Sequence, residues 1–330
     1  MRLVFRLFSV LLFFASSTAA AWAANANWPK SLTLGTASPG GVYFVYGEGL
    51  AKILTEKLGI PVNQFPTQGP VHNIKLIESG GVQLGLITMG VGLQGWNGTG
   101  EWTKGQKFRN MRALFPMYDT PFQFVVLKRS DISSVAQFSN KNVGVGPRAG
   151  TGGTYSPEVF KALGMSVRIQ NGSWADLATA LQDGRFDALM AALGAPVPAL
   201  QKGEAKEPLK FISLTAEETA TLRKAMPELT PSTVPAGTYP SLKSDYHTIG
   251  LYNFAIGRAD LPDDLVYQLV KTVFENQASL IKVHSSARET IPQNIDKDTF
   301  LPFHPGAIRY YREIGLKIPD ALIPKDSMAH

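Results

Sequence analysis

The sequence predicts an α/β protein of two similar lobes, each a mainly parallel sheet flanked by helices, with a ligand cleft between the lobes. Three observations carry that expectation. Short apolar strand signals alternate with helical periodicity along most of the chain, the pattern that βαβ units leave. A strand, Gly/Ser turn and helix start at Leu32 to Tyr43 have a counterpart at Asn142 to Tyr155, where Gly40, Gly41 and Tyr43 match Gly152, Gly153 and Tyr155 at a constant offset of 112 (152 − 40). Gly80 and the position of Gln83 match Gly184 and Asp187 at an offset of 104 (184 − 80), as an internal duplication with a length difference would produce.

In chain order, Arg2 and Arg6 form a basic start, Leu7 to Ala15 an uncharged apolar run, and Ala21-Trp22-Ala23 a small-x-small site. The run is shorter than the ~20 residues needed to span a bilayer. A signal peptide cleaved after Ala23 is expected, and with it an exported protein in the periplasm. After the strand at Leu32, helical spacing of Leu50, Ile53, Leu54 and Leu58 ends at Gly59, a C′ residue. Ile60 to Phe65 reads as a strand, and Pro70 suits the first turn of a helix carrying Val71, Ile74 and Ile77. Leu84 to Thr88 is the next strand and Gln94 to Gly105 a Gly-rich loop anchored by Trp96 and Trp102. Leu114 to Lys128, broken by Pro116 and Pro121, is the candidate first crossover between lobes.

The second lobe repeats the order: strand Asn142 to Val145, a helix with Val159, Phe160 and Leu163, strand Val167 to Gln170, a helix opened by Ser173-Trp-Ala-Asp176, and strand Asp187 to Met190. Lys202 to Thr238 reads as peripheral helix plus loop, and Thr248 to Arg258 as the return crossover. Leu265 to Phe274 follows as an amphipathic helix. Residues 28–118 plus 247–330 are expected to form lobe I, and 119–246 lobe II.

Composition removes several function classes. The chain has no cysteine, which excludes disulfides, thiolate metal sites and a cysteine nucleophile. The net charge of +6 is spread without a basic run, which argues against nucleic acid as a partner and mildly favours anionic solutes. No Gly-x-Ser-x-Gly elbow is present, and the five histidines lack metal-ligand spacing. No enzyme activity, catalytic residue, metal or cofactor is expected, and the protein is expected to be a monomer. The alternatives are a secreted α/β enzyme using His72 near the first turn, and a ligand sensor for a membrane kinase.

The two Gly-rich turns carry the functional expectation. A turn between a strand and a helix points backbone N–H groups and the positive end of the helix dipole at whatever lies above it. Neither turn has P-loop or dinucleotide spacing. The candidate ligand-binding residues are Ser38, Gly40, Gly41, Tyr43, Thr67, Gly69 and Asn73 from lobe I. From lobe II they are Arg148, Thr151, Gly152, Gly153, Thr154, Tyr155 and Trp174. Arg148 either pairs with a ligand carboxylate through its planar fork or is a solvated surface arginine. Tyr43 and Tyr155 either face the ligand or pack on their own sheets.

At these residues the chain resembles the TAXI family, the extracytoplasmic solute receptors of TRAP transporters. The resemblance runs through Gly35-Thr-Ala-Ser-Pro-Gly-Gly-Val-Tyr43, Thr67-Gln-Gly-Pro-Val-His-Asn73 and Glu78-Ser-Gly80. It continues through Pro235-Ala-Gly-Thr-Tyr-Pro240, Arg258-Ala-Asp-Leu-Pro-Asp-Asp-Leu-Val-Tyr267 and Leu301-Pro-Phe-His-Pro-Gly-Ala-Ile-Arg-Tyr-Tyr-Arg-Glu-Ile-Gly315. The resemblance implies a two-lobed periplasmic-binding-protein fold, type II-like, that closes on its ligand by hinge motion. It also implies delivery to the membrane permease subunits of an ion-coupled TRAP transporter. The ligand would be a small organic acid or amino acid, such as a dicarboxylate, 2-oxoglutarate or a glutamate-like molecule. Pro70 and Gln83 depart from the family pattern, which tends to serine and aspartate there.

Overall fold

A computed structural model describes residues 27–297 and 299–324, so the leader expected at residues 1–23 lies outside the described residues. The first half is a βαβαβ unit: β1 (Leu32–Gly35), α1 (Val42–Leu58), β2 (Val62–Phe65), α2 (Pro70–Ser79) and β3 (Leu84–Thr88). α3 (Met89–Asn97) starts directly at the end of β3, and β4 (Met111–Leu127) leads into the second half. That half repeats the unit as β5 (Asn142–Gly144), α4 (Thr151–Ala162), β6 (Arg168–Gln170), α5 (Trp174–Gln182) and β7 (Ala188–Ala192). Then follow α6 (Pro198–Glu204), β8 (Leu209–Phe211), α7 (Ala216–Ala225), β9 (Thr230–Val234) and β10 (Tyr246–Arg258). The chain closes on the first half with α8 (Asp263–Glu275), α9 (Gln277–Val283) and α10 (Pro305–Glu313).

The strands form one mixed sheet, β2-β1-β3-β10-β4-β7-β5-β6, with β8 paired to β4 and β9 to β10. The two triplets β2-β1-β3 and β6-β5-β7 are parallel. The long strands β4 and β10 run antiparallel to them and to each other. β4 pairs with β10 as far as Pro121, and from Phe122 onward with β7, so one strand serves both halves. The fold is thus α/β, and its lobes share a continuous sheet through the crossovers.

The duplication holds in three dimensions, in a register the glycine pairs misread. Gly35 pairs with Phe65 and Gly85, and Gly144 with Gln170 and Leu189, which makes Gly35 and Gly144 equivalent at an offset of 109 (144 − 35). Gly41 and Gly150 are the matching N-caps, with φ of −93° and −85°. Gly152 and Gly153 therefore lie inside the first turn of α4, three positions beyond the counterparts of Gly40 and Gly41. α1 has 17 residues and α4 has 12, so the offset falls to 105 (164 − 59) by Gly59 and Gly164, both in left-handed backbone at the helix ends. It is 104 at Gly80 and Gly184. Gln83 and Asp187 do the same work in each copy: Gln83 Oε1 accepts the Thr33 N–H at 3.0 Å and Asp187 Oδ2 the Asn142 N–H at 2.8 Å.

Two expectations change. The loop expected at Gln94–Gly105 begins inside α3, which runs to Asn97 and stops at Gly98 in left-handed backbone. The segment Lys202–Thr238 holds two strands besides its helices. β8 and β9 are 3 and 5 residues long and lie at the margins of the sheet, too short to show alternation, and β9 carries Pro231. The core-packing helix is as expected: α8 buries Leu265, Val266, Leu269, Val270 and Val273. α10 packs on α8 through Gly306, where a side chain would collide with the Asp263 carbonyl.

Candidate ligand-binding site

Four helices, α1, α2, α4 and α5, present their N-terminal turns to the space between the halves. A cavity of about 380 Å³, part of it open to solvent, sits where they converge. The first half contributes Ser38, Gly41, Val42, Tyr43, Gly69 and Pro70, and β4 adds Thr120. The second half contributes Pro147, Gly150, Thr151, Trp174, Ala192 and Leu193. No lining residue carries a charge.

The helices divide their work by symmetry. α2 and α5, equivalent copies, use first-turn N–H groups to hold the opposite half: Val71 N–H donates to the Ala149 carbonyl at 3.1 Å, and Ala175 N–H to the Pro39 carbonyl at 3.3 Å. A third bond, Ala199 N–H to the Gly40 carbonyl at 3.1 Å, and a Thr88–Thr151 hydroxyl pair at 3.1 Å complete the closure. The halves are therefore shut on one another. Gly40 (φ +85°) and Gly69 (φ +111°) make this close approach possible, because a Cβ on Gly40 would lie 2.5 Å from Ala175 N and one on Gly69 3.1 Å from the Gly150 Cα.

α1 and α4 begin with glycine caps that bring no side chain to their first N–H groups, and neither has an acidic residue in its first turn. The positive ends of both dipoles are left without a carboxylate of the chain's own. Ser38, 8 % exposed, adds a hydroxyl on the cavity wall that has no hydrogen-bond partner. The floor is a polar network: Tyr43 donates to Asn253 Oδ1 at 2.5 Å, Thr120 bonds the same side chain at 3.0 Å, and the Asn253 amide donates to the Tyr118 carbonyl at 2.5 Å. Burial pushes the Tyr43 phenol well above its usual range, so it stays protonated.

The structure brings Ser38, Gly41, Tyr43, Gly69, Thr151 and Trp174 together on the cavity wall. Gly40 stands just outside, at the rim, as part of the closure. Thr67 and Asn73 do not line the cavity. The Thr67 hydroxyl accepts the Gly69 N–H at 3.0 Å, and the Asn73 amide donates to the Thr36 and Leu86 carbonyls at 2.8 Å each, so they brace the strand ends and turn behind it. Arg148 is exposed and off the wall, the solvated alternative, because the turn that holds it directs Gly150 and Pro147 inward instead. Gly152 and Gly153 pack behind the turn against the carbonyls of Val145 and Pro147, as first-turn helical residues must. The Thr154 hydroxyl returns to the Gly150 carbonyl at 2.8 Å. Tyr155 faces away: it donates to Glu228 at 2.8 Å and packs edge-on to Phe122 at 5.9 Å.

His72 does not line the cavity; its Nδ1 meets the Gln68 N–H at 3.4 Å, and burial with Lys75 nearby lowers its pKa. Sequence reasoning missed Thr120, Ala192 and Leu193. Thr120 lies beside the Pro121 that marked the crossover, and that position was the available signal. Ala192 ends β7 and Leu193 follows it, and the rule that ligands sit beyond the carboxyl ends of strands points to both.

The sequence profile of the NMT1-like family matches residues 34–315. Among solved structures, Rpa4515 of R. palustris with adipate is 20 % identical, covering 79 % of this chain and 88 % of that one, with a TM-score of 0.54. PhnD1 from Prochlorococcus marinus in complex with methylphosphonate is 15 % identical over 87 % and 98 %, with a TM-score of 0.52. The alkanesulfonate-binding protein SsuA from Xanthomonas axonopodis pv. citri, bound to MOPS, is 14 % identical over 87 % and 85 %, with a TM-score of 0.50. The fold is shared with these binding proteins.

Proposed function

The chain belongs to the NMT1-like family, and from that premise we propose that it is an extracytoplasmic solute-binding receptor. It captures a small organic acid or amino acid between its halves and delivers it to the permease subunits of an ion-coupled TRAP transporter. The observation that carries this reading is the cavity lined from both halves and shut by reciprocal backbone bonds. Family membership and the small anions held by Rpa4515 and PhnD1 support it. The leader expected at residues 1–23, cleaved after Ala23, supports a periplasmic location for this receptor, and among the described residues no helix is long and apolar enough to cross a membrane.

In this reading residues 28–118 with 247–330 move as one lobe and 119–246 as the other, about β4 and β10. Helix N-termini contribute roughly 0.3–1 kcal/mol each, up to ~2 when partly buried. A micromolar ligand needs about 8 kcal/mol, so hydroxyls, apolar walls and closure supply the remainder. Closure follows when the ligand binds the shut form better than the open one.

Mass spectrometry of small molecules released from gently purified, then denatured protein identifies the solute. Thermal shift checks it, with an expected gain of about 2.7 kcal/mol at 100 times the dissociation constant. No released molecule, and no shift across organic acids, amino acids and small anions, would overturn the receptor reading.

A further inference from the structure

The cavity is chemically lopsided. Its side-chain hydroxyls and amide, Ser38, Tyr43, Gln68 and Thr120, come from the first half and the floor, whereas the second half offers Pro147, Trp174, Ala192 and Leu193 with only Thr151 as a hydroxyl. The Thr151 hydroxyl is already paired with Thr88 at 3.1 Å. The Ser38 hydroxyl, more than nine-tenths buried, has no partner. The N-terminus of α4 is also crowded by carbonyls, since a Cβ on Gly150 would meet Pro147 O at 3.1 Å and Gln68 O at 3.4 Å. The Gly41 end of α1 meets one carbonyl rather than two, Ser38 O at 3.4 Å from a Cβ there, and otherwise faces the Trp174 ring at 3.1 Å. One anionic position remains, at α1.

Resting on the receptor reading above, we infer that the ligand is a small organic monoanion. A single carboxylate or sulfonate head accepts from the Ser38 hydroxyl and the first N–H groups of α1. An uncharged, mainly apolar remainder lies against Trp174 and Leu193. A second carboxylate would be stripped of water beside those apolar walls without a cation to meet it. An ammonium group would find no carboxylate, because none lines the cavity. Diacids and amino acids are disfavoured on the same ground.

The test is isothermal titration of the full mature chain with butanoate, 3-methylbutanoate, propane-1-sulfonate, glutarate, 2-oxoglutarate, glutamate and glutamine. A monoanion is expected to bind at least tenfold tighter than any diacid or amino acid in the series, and the better of carboxylate and sulfonate identifies the head. Ser38→Ala is expected to weaken the best monoanion about five- to tenfold while leaving the thermal midpoint of the free protein unchanged, since the hydroxyl has no partner to lose. A diacid or amino acid binding best, or a Ser38→Ala affinity equal to wild type, would overturn this inference and leave the receptor standing. Silence in every arm would overturn this inference, and with no molecule released from the denatured protein the receptor reading as well.

Discussion

The two strand–turn–helix cradles share a backbone and differ in what they present. Gly41 and Gly150 cap α1 and α4 in the same conformation, 109 positions apart. Around the first cap, Ser38 and Tyr43 face the cavity; around the second, Arg148 points to solvent and Tyr155 turns back to Glu228. What was kept is the geometry that closes the molecule and aims helix dipoles inward. What diverged is the side-chain chemistry, and a site with unequal walls suits a ligand with unequal ends. Substitutions at three positions and a pair of tyrosines separate the shared function of the cradles from the function of one.

The largest effect belongs to the shared part. Gly40→Val would set a side chain against Ala175 N and Cα, 2.5 and 3.0 Å from the Cβ position, and would strain backbone at φ +85°. The lobes could no longer shut, and solute affinity is expected to fall at least about a hundredfold, roughly 2.7 kcal/mol. Small-angle scattering would show an open form that saturating ligand does not compact. Affinity within threefold of wild type would remove closure at the Gly40 rim from the binding mechanism.

Next is the wall the second half supplies. Trp174, 6 % exposed, stands against Gly41 and Gly146 and bridges the halves through packing alone. Trp174→Ala is expected to weaken binding about ten- to a hundredfold and to lower unfolding stability by about 3 kcal/mol, the scale of aromatic truncation in a core. Trp174→Phe should recover most of the stability and part of the affinity, read by chemical denaturation and titration.

The tyrosines test the register directly. Tyr43 and Tyr155 match by sequence, yet Tyr43 is the second residue of α1 and Tyr155 the fifth of α4, which sends them in different directions. Tyr43→Phe removes the bond to Asn253 on the cavity floor and is expected to cost about three- to tenfold in affinity. Tyr155→Phe, which loses only the Glu228 contact, should stay within twofold. Equal losses in the two variants would restore the symmetric two-tyrosine site.

Legibility follows the same division. The strands, the helix stops at Gly59, Gly80 and Gly184, and both crossovers were readable because periodicity and left-handed glycines are local properties. β8 and β9 were not, since 3 to 5 residues at a sheet margin owe their conformation to β4 and β10. In the site, the glycines located the cradles but not their register: Gly152-Gly153 repeats the letters of Gly40-Gly41 while Gly150 repeats the backbone. Side-chain direction depends on position within the helix turn, which a residue match cannot supply. Thr67 and Asn73, expected at the ligand, stand behind the cavity wall instead, because a group bracing a turn and one lining it share polarity.

The smallest expected effect is the most pointed. A guanidinium is the obvious partner for an organic acid, and Arg148 sits in the right turn by sequence; it is exposed and away from the wall. A solvated charge near the surface is screened by water and salt, with a Debye length of about 8 Å at physiological ionic strength. Arg148→Ala is therefore expected to change affinity less than about twofold and to soften its salt dependence slightly, measured by titration at low and high salt. Tyr43 is the cavity's one titratable lining residue and burial keeps it protonated, so affinity for a fully ionised acid should be level between about pH 6 and 9. A tenfold loss in Arg148→Ala would mean that the turn swings the arginine inward over bound solute, and the charge would then belong to the second cradle after all.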